Sequence, residues 1–184
     1  MTFPPLQALG PRIMVCGPSN AGKSTLAQAL GQRLDAPAIH LDALFHQPGS
    51  NWVPRPREEF AALHDATIAA KRWVIEGNYF GFVAPRLERA TGIVLLGSRP
   101  WRGLFRYVRR TLFEGHGRAG MLEGGIDRLN WKMVRFILVE QPPKRARDLA
   151  ILRASGRPLV VLEEMEDLQR LYAAWELRRQ PPSP

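Results

Sequence analysis

Short apolar runs alternate with stretches of helical periodicity along this chain. The runs are "RIMVC" at 12–16, "PAIHLD" at 37–42, "WVIEG" at 73–77, "GIVLLG" at 92–97 and "PLVVLE" at 158–163. The third and fourth runs are continuously apolar, which is typical of strands buried on both faces of a parallel sheet. We therefore predict a three-layer α/β fold with a mainly parallel sheet.

Segments with helical spacing separate these runs. "STLAQALGQRL" follows the first run, and Pro56 can begin a second helix through "REEFAALHDATIAAK". "RPWRGLFRYVRRTLF" also has one apolar face. Two further patterns cover 126–140 and 143–154, and a last helix covers about 165–178. Three aromatic residues at helical spacing are predicted to lie in the core: Trp131, Tyr172 and Trp175.

Length and composition indicate one globular domain. The chain has 184 residues, of which 45% are hydrophobic and 23% charged, so it can bury a substantial core without disulfides. Its single cysteine, Cys16, lies in an apolar run, and neither a signal peptide nor a membrane span is apparent. We expect a cytoplasmic protein with no membrane partner, as a monomer or a homodimer.

The net charge of +9 indicates anionic partners. Arginines crowd into 99–118 and again into 144–157. Nucleic acid is a possible partner, but the sequence has no helix-turn-helix, zinc-ligand spacing or RNA-binding aromatic signature to support it.

The sequence "GPSNAGKS" carries the strongest chemical signal. It fits Gly-x-x-x-x-Gly-Lys-Ser between a predicted strand and a predicted helix, which is the phosphate loop of nucleotide-binding proteins. Lys23 is expected to reach the β- and γ-phosphates, Ser24 to bind Mg²⁺, and Thr25 to cap the helix or contact the α-phosphate. The nucleotide-binding residues predicted here are Gly17, Pro18, Ser19, Asn20, Ala21, Gly22, Lys23, Ser24 and Thr25. A guanine-reading Asn-Lys-x-Asp is absent, so ATP is the preferred nucleotide.

Two carboxylates are predicted at the ends of strands. Asp42 follows "AIHL" and Glu76 follows "WVI", so both are expected at the carboxyl edge of the sheet near the phosphate loop. With Ser24 they are candidates to bind Mg²⁺ or to orient and deprotonate an attacking hydroxyl. The alternatives are a helix cap for Asp42 and a turn residue for Glu76. His40 is predicted to be structural.

The arginines at 99–118 suit the stabilisation of a transferring phosphoryl group, although a solvated helix face and a nucleic-acid surface are alternatives. The glycine-rich "EGHGRAGMLEGG" that follows is predicted to close over the substrate. We place a lid at about 106–125, with Arg106, Arg110 and Arg118 as catalytic residues beside Lys23 and Asp42.

Four segments together resemble the adenylate-kinase-like P-loop kinases, and within that group the DNA topology modulation (FlaR-like) proteins. They are "GPSNAGKS", "IHLDALFHQPGSNWVPRPREEF", "RWVIEGNYFGFVAPRLERA" and "RPWRGLFRYVRR…GR". The resemblance covers about residues 12–163. It implies the P-loop NTPase fold, a five-stranded parallel sheet in the order 2-3-1-4-5, a substrate-binding insertion at about 43–72, and an arginine-rich lid.

The resemblance also implies substrate-binding residues. These are Asp42, Trp52, Arg55, Glu76, Asn78, Tyr79 and Arg86. Trp52 is expected either to stack on a ring or to anchor its loop, while Arg55 and Arg57 are expected to hold a phosphate or carboxylate.

Two departures from the family pattern matter. Glu76 stands where similar kinases often have Asp, and Asn78 begins a tripeptide that replaces the Phe-Pro-Arg of adenylate kinases. AMP is therefore not the expected acceptor.

Three functions are compatible with the sequence. The first is an enzyme that transfers the γ-phosphoryl group of Mg-ATP to a small acceptor, such as a nucleoside, nucleotide or metabolite. The second is a nucleic-acid-associated ATPase, and the third is a nucleotide-binding protein without transfer activity. The whole chain, 1–184, is treated as one domain with a frayed tail at about 179–184.

Overall fold

Five parallel strands form the central sheet. The computed structural model describes residues 2–18, 21–50, 52–97, 104, 105, 108 and 131–179. The strands are β1 (Arg12–Cys16), β2 (Ala38–His40), β3 (Trp73–Glu76), β4 (Gly92–Leu96) and β5 (Leu159–Leu162). Their spatial order is β2-β3-β1-β4-β5, and every neighbouring pair is parallel. The predicted sheet and its strand order are confirmed.

Helices connect the strands. Those in the described residues are α1 (Lys23–Leu34), α2 (Leu41–Phe45), α3 (Arg57–Ile68), α4 (Val83–Arg89), α5 (Trp131–Arg135), α6 (Gln141–Ala154) and α7 (Met165–Ala174). A π-helical turn, Phe136–Glu140, joins α5 to α6, and 3₁₀ turns cover Leu6–Leu9 and Phe80–Phe82.

The sheet separates two apolar layers, because successive side chains of a strand point to opposite faces. On β1, Ile13 and Val15 join a core with α1, α7 and the turn at 6–9. Met14 and Cys16 join the second core, with residues of α2, α3, α4 and α6. All four side chains are fully buried. This alternation produces the predicted three layers.

The strand register brings the loops of the site to one edge. Val15 of β1 is paired with Glu76 of β3, and His40 of β2 is paired with the same Glu76. Cys16 is paired with Leu95 of β4. Because all these strands end at the same level, the phosphate loop and the turns after β2, β3 and β4 leave the sheet together.

Two local predictions were wrong. The second strand ends at His40, and Asp42 lies in the first turn of α2 rather than at a strand end. Trp131 is 78% exposed, whereas Tyr172 and Trp175 are buried as predicted. The apolar neighbours of Trp131 do not place it in the core, since a single sequence does not say which face of a helix finds a partner.

The two helical patterns near 126–154 lie on one helical run in the described part, 131–154. The prolines at 142 and 143 sit in the first turn of α6, where proline is tolerated. In the described ranges, no helix has both the length and the apolar character needed to cross a membrane.

Gly92 on β4 provides a test of the packing beneath the sheet. A Cβ at Gly92 would lie 2.5 Å from Leu9 Cβ and 2.6 Å from Leu9 O. Because backbone and buried side chain both block it, we expect Gly92→Ala to lower the free energy of unfolding by about 1–3 kcal/mol. Urea denaturation measures this.

The matched control is Gly81→Ala, since a Cβ at Gly81 would meet nothing within 4 Å. Its effect should stay within about 0.5 kcal/mol. Equal destabilisation by the two variants would contradict the packing of the 6–9 turn against β4.

Candidate active site

The phosphate loop requires glycine at both ends. Gly17 has φ 141° and Gly22 has φ 90°, conformations that disfavour any residue with a side chain. A Cβ at Gly17 would also lie 2.6 Å from the carbonyl oxygen of Leu96, at the end of β4. The loop backbone is therefore drawn tightly against the sheet edge. Ser19 and Asn20, predicted to bind nucleotide, lie outside the described residues.

The N-terminus of α1 begins after a glycine. Gly22 occupies the cap position and has no side chain, and within the described residues no side chain caps the amides of Lys23, Ser24 and Thr25. Such uncapped amides and the helix dipole attract anions. Lys23 Nζ donates to Pro18 O at 3.0 Å, which folds the ammonium group back over the loop. The arrangement fits a bound polyphosphate.

Glu76 joins the phosphate loop to strand β2. Its Oε1 accepts a hydrogen bond from Ser24 Oγ at 2.9 Å and lies 2.9 Å from His40 Nδ1. The Glu76 side chain is only 5% exposed. The Glu76 carboxylate is thus held by two partners.

The protonation of Glu76 reflects these contacts. Burial alone would raise its pKa, but the hydrogen bond from His40, the positive charge of Lys23 and the hydrogen bond from Ser24 act in the opposite direction. The net result is a pKa below the ordinary glutamate value. Glu76 is therefore a carboxylate near neutral pH, suited to bind a cation.

Asp42 belongs to a second pair. Tyr79 OH donates to Asp42 Oδ1 at 2.6 Å. Burial and the neighbouring Asp42 carboxylate raise the pKa of Tyr79, so its hydroxyl keeps its proton. Tyr79 has φ 34°, an uncommon conformation for a residue with a side chain, at the turn after β3.

The predicted magnesium set of Ser24, Asp42 and Glu76 is only partly assembled. Ser24 and Glu76 are in contact, whereas the Asp42 carboxylate accepts a hydrogen bond from Tyr79. Over the described ranges, no group of three or more His, Cys, Asp or Glu side chains is placed to hold a metal ion. The pair Ser24–Glu76 remains the candidate position.

Asn78 and Arg86, both predicted from the resemblance, connect the turn after β3 to the phosphate loop. Asn78 Oδ1 accepts from Gly17 N–H, and Asn78 Nδ2 donates to Gly17 O, both at 3.0 Å. Arg86 is fully buried and donates from Nη2 to Asn78 O at 2.8 Å. Burial lowers the pKa of Arg86.

Residues of the predicted substrate-binding insertion have partners inside the protein. Arg55 Nε donates to Leu44 O at 3.0 Å, and Arg55 Nη1 pairs with Glu59. Trp52 is 38% exposed and packs edge-on against His46, with 5.1 Å between ring centroids. These contacts favour the anchoring interpretation of Trp52 and give Arg55 a role in fixing the loop.

Arg57 makes a cation–π contact, its guanidinium lying 4.6 Å from the centroid of the Phe82 ring. The predicted catalytic arginines Arg106, Arg110 and Arg118, with most of the lid, lie outside the described residues. The structure therefore does not test them.

Sequence reasoning missed one member of the site and one contact between two members that it did name. His40 was predicted to be structural, yet it contacts Glu76. The signal was available, because His40 and Glu76 end strands that the order 2-3 makes neighbours. The pairing of Tyr79 with Asp42 had no such signal, since it depends on α2 starting immediately after β2.

A further arginine, Arg145, reaches the same edge of the sheet. Its Nη2 donates to Glu163 at 2.7 Å and lies 2.9 Å from the position of a Cβ on Gly97, just after β4. The sequence shows only an arginine cluster at 144–157, which does not say which of its members lies against the sheet edge.

The strand order and the glycine-rich loop between β1 and α1 are those expected of a P-loop NTPase fold. No protein-family model and no curated protein matches the chain. Among solved structures, a gluconokinase from Sinorhizobium meliloti 1021 resembles it with a TM-score of 0.43 and 18% sequence identity, over 78% of this chain and 97% of that one. A likeness at this level assigns no activity.

The protonation of Glu76 can be measured through stability. Because its pKa is lower in the folded chain, the ionised carboxylate stabilises the fold above the unfolded value of 4.5, and this stabilisation is lost as pH falls through the folded pKa. We expect the difference in unfolding free energy, wild type minus Glu76→Gln, to be largest above about pH 5 and to shrink on acidification.

Urea denaturation of both proteins between neutral and acidic pH, without added metal, measures this difference. A difference that grows as pH falls would show that burial dominates and that Glu76 has a raised pKa.

Proposed function

We propose that this protein is a Mg-ATP-dependent phosphotransferase that acts on a small hydroxyl-bearing acceptor. The observation that carries the proposal is the contact between Ser24 at the start of α1 and the ionised Glu76 at the end of β3. A carboxylate beside the phosphate-loop serine would hold the Mg²⁺ of a bound triphosphate next to the group to be transferred.

The nucleotide side is supported by the loop itself. Gly17 and Gly22 take backbone conformations that turn the chain around the start of α1, whose amides are uncapped. These amides and Lys23 would hold the phosphates, and Lys23 would exchange its bond to Pro18 O for a phosphate oxygen. Ser24 and Glu76 would hold Mg²⁺, which supplies charge neutralisation for the transferring group.

The acceptor side is supported by Asp42 and Glu76. An acceptor hydroxyl lying between them would lose its proton to a carboxylate while its oxygen forms a bond to the γ-phosphorus and the bond to the bridging β–γ oxygen breaks, leaving ADP. Tyr79 holds one oxygen of Asp42 and so fixes the direction of the other. Positioning of this kind accounts for much of the rate of phosphoryl transfer.

A nucleic-acid-associated ATPase is the alternative from sequence. The arginines of 99–118 that suggested it all lie outside the described residues, and no observation in the described residues favours it. Steeply salt-dependent DNA binding together with DNA-stimulated hydrolysis would replace the present proposal.

Lys23→Met tests the nucleotide side. Removing the ammonium group should reduce acceptor-dependent ADP release by at least about 100-fold, because this charge faces the transferring phosphoryl group. The assay is a coupled measurement of ADP over a panel of nucleosides, nucleotides and hydroxylated metabolites.

Lys71→Met, an exposed lysine in the turn before β3, is the matched control and should retain wild-type turnover. Unchanged turnover in the folded Lys23→Met protein would exclude this mechanism.

Asp42→Asn tests the acceptor side separately. The amide keeps the size of the side chain and can still accept from Tyr79 OH, but it is a poor base. We expect turnover to fall by about 100-fold or more while the dissociation constant for ATP stays within about twofold. Single-turnover kinetics and calorimetric titration with ATP distinguish the two effects. If Asp42→Asn weakens ATP binding but leaves the rate of phosphoryl transfer unchanged, Asp42 acts in nucleotide binding and not on the acceptor.

A further inference from the structure

We propose that Asn78 is a positioning residue for the phosphate loop and does not contact the acceptor. This inference rests on the proposed nucleotide site. It starts from the two reciprocal hydrogen bonds, each 3.0 Å, between the Asn78 carboxamide and the main chain of Gly17.

The register of the sheet explains why a side chain is needed there. Val15 pairs with Glu76, and the last main-chain bond between these strands runs from Gly77 N–H to Val15 O at 3.1 Å. Beyond it, Gly17 turns away at φ 141° and presents its N–H and C=O to the turn after β3. The Asn78 amide satisfies both groups, as a main-chain peptide would in the next rung of the ladder.

Asparagine is the residue that can do this. One side-chain group must both accept from an N–H and donate to a C=O, and among residues of this length only Asn combines the two functions in one plane. Both functions of the Asn78 carboxamide face Gly17, so its hydrogen bonds are directed at the phosphate loop rather than at an acceptor.

Arg86 fixes Asn78 from the opposite side. Its guanidinium is fully buried and donates one hydrogen bond, to Asn78 O, while Nε and Nη1 have no hydrogen-bond partner among the residues that the structure describes. A buried cation with so few partners is costly. In this position it holds the main chain of Asn78, and through its side chain Gly17, so we assign Arg86 a positioning role as well.

The experiment measures binding of two probes in the presence of Mg²⁺: ATP and inorganic tripolyphosphate, which has no base or ribose. The variants are Asn78→Leu, which keeps the volume and removes both hydrogen bonds, and Asn78→Ala. We expect both probes to bind about 10-fold more weakly to each variant, since two neutral hydrogen bonds order the loop.

Arg86→Met should also weaken the binding of both ATP and tripolyphosphate. Arg89→Met, an exposed arginine on the same helix, is its matched control and should change neither. Urea denaturation of each variant separates this effect from a general loss of stability, because a purely structural role would lower the unfolding free energy and leave both dissociation constants unchanged.

The outcomes are distinct. Unchanged binding of both probes in folded Asn78 variants overturns the inference, and so does weaker binding of ATP alone, which would place Asn78 near the base or ribose. If the wild type binds neither probe, the proposed function fails.

Amide hydrogen exchange then still decides the role of Asn78. The Gly17 amide should be protected like the interior of β1 in the wild type and lose that protection in Asn78→Leu. A freely exchanging Gly17 amide in the wild type would overturn the inference even if no variant folds.

Discussion

The close approach of Gly17 to the end of β4 constrains the rest of the site. The space for a Cβ at Gly17 is taken by Leu96 O, only 2.6 Å away, so the chain leaves β1 pressed against its neighbour. From there it must turn sharply to begin α1 at Lys23. The uncapped amides of that helix therefore lie directly above the sheet edge, where the carboxylates from other strands also arrive.

The parallel register of the sheet brings polar side chains from neighbouring strands to this edge. β1, β2 and β3 end at the same level, which brings His40, Glu76 and the start of α1 within hydrogen-bond distance. Burial at this edge would by itself favour neutral Glu76. The hydrogen bonds from His40 and Ser24 and the charge of Lys23 reverse that preference, so Glu76 stays ionised and can attract a cation.

Much of this architecture was predictable from the sequence, and the reasons for the exceptions are physical. Continuous apolar runs indicate the buried strands. Glycines at positions whose backbone conformations other residues rarely adopt indicate the phosphate loop. The strand order 2-3-1-4-5 came from resemblance, because periodicity does not say which strands are neighbours. Once the order is known, the contact of His40 with Glu76 follows from their equivalent positions at two strand ends.

The position of Asp42 could not be predicted from the sequence alone. "AIHLD" is equally compatible with a long strand and with a strand that turns into a helix, and the choice depends on how Leu41 packs beneath Gly77, a tertiary contact. A Cβ at Gly77 would lie 2.9 Å from Leu41 Cβ. The start of α2 can therefore pack against the turn after β3 only because position 77 is glycine. This contact places Asp42 on α2, within reach of Tyr79, instead of beside Ser24. Asp42 and Glu76 are thereby held by separate hydrogen-bond partners, Tyr79 for Asp42 and Ser24 with His40 for Glu76.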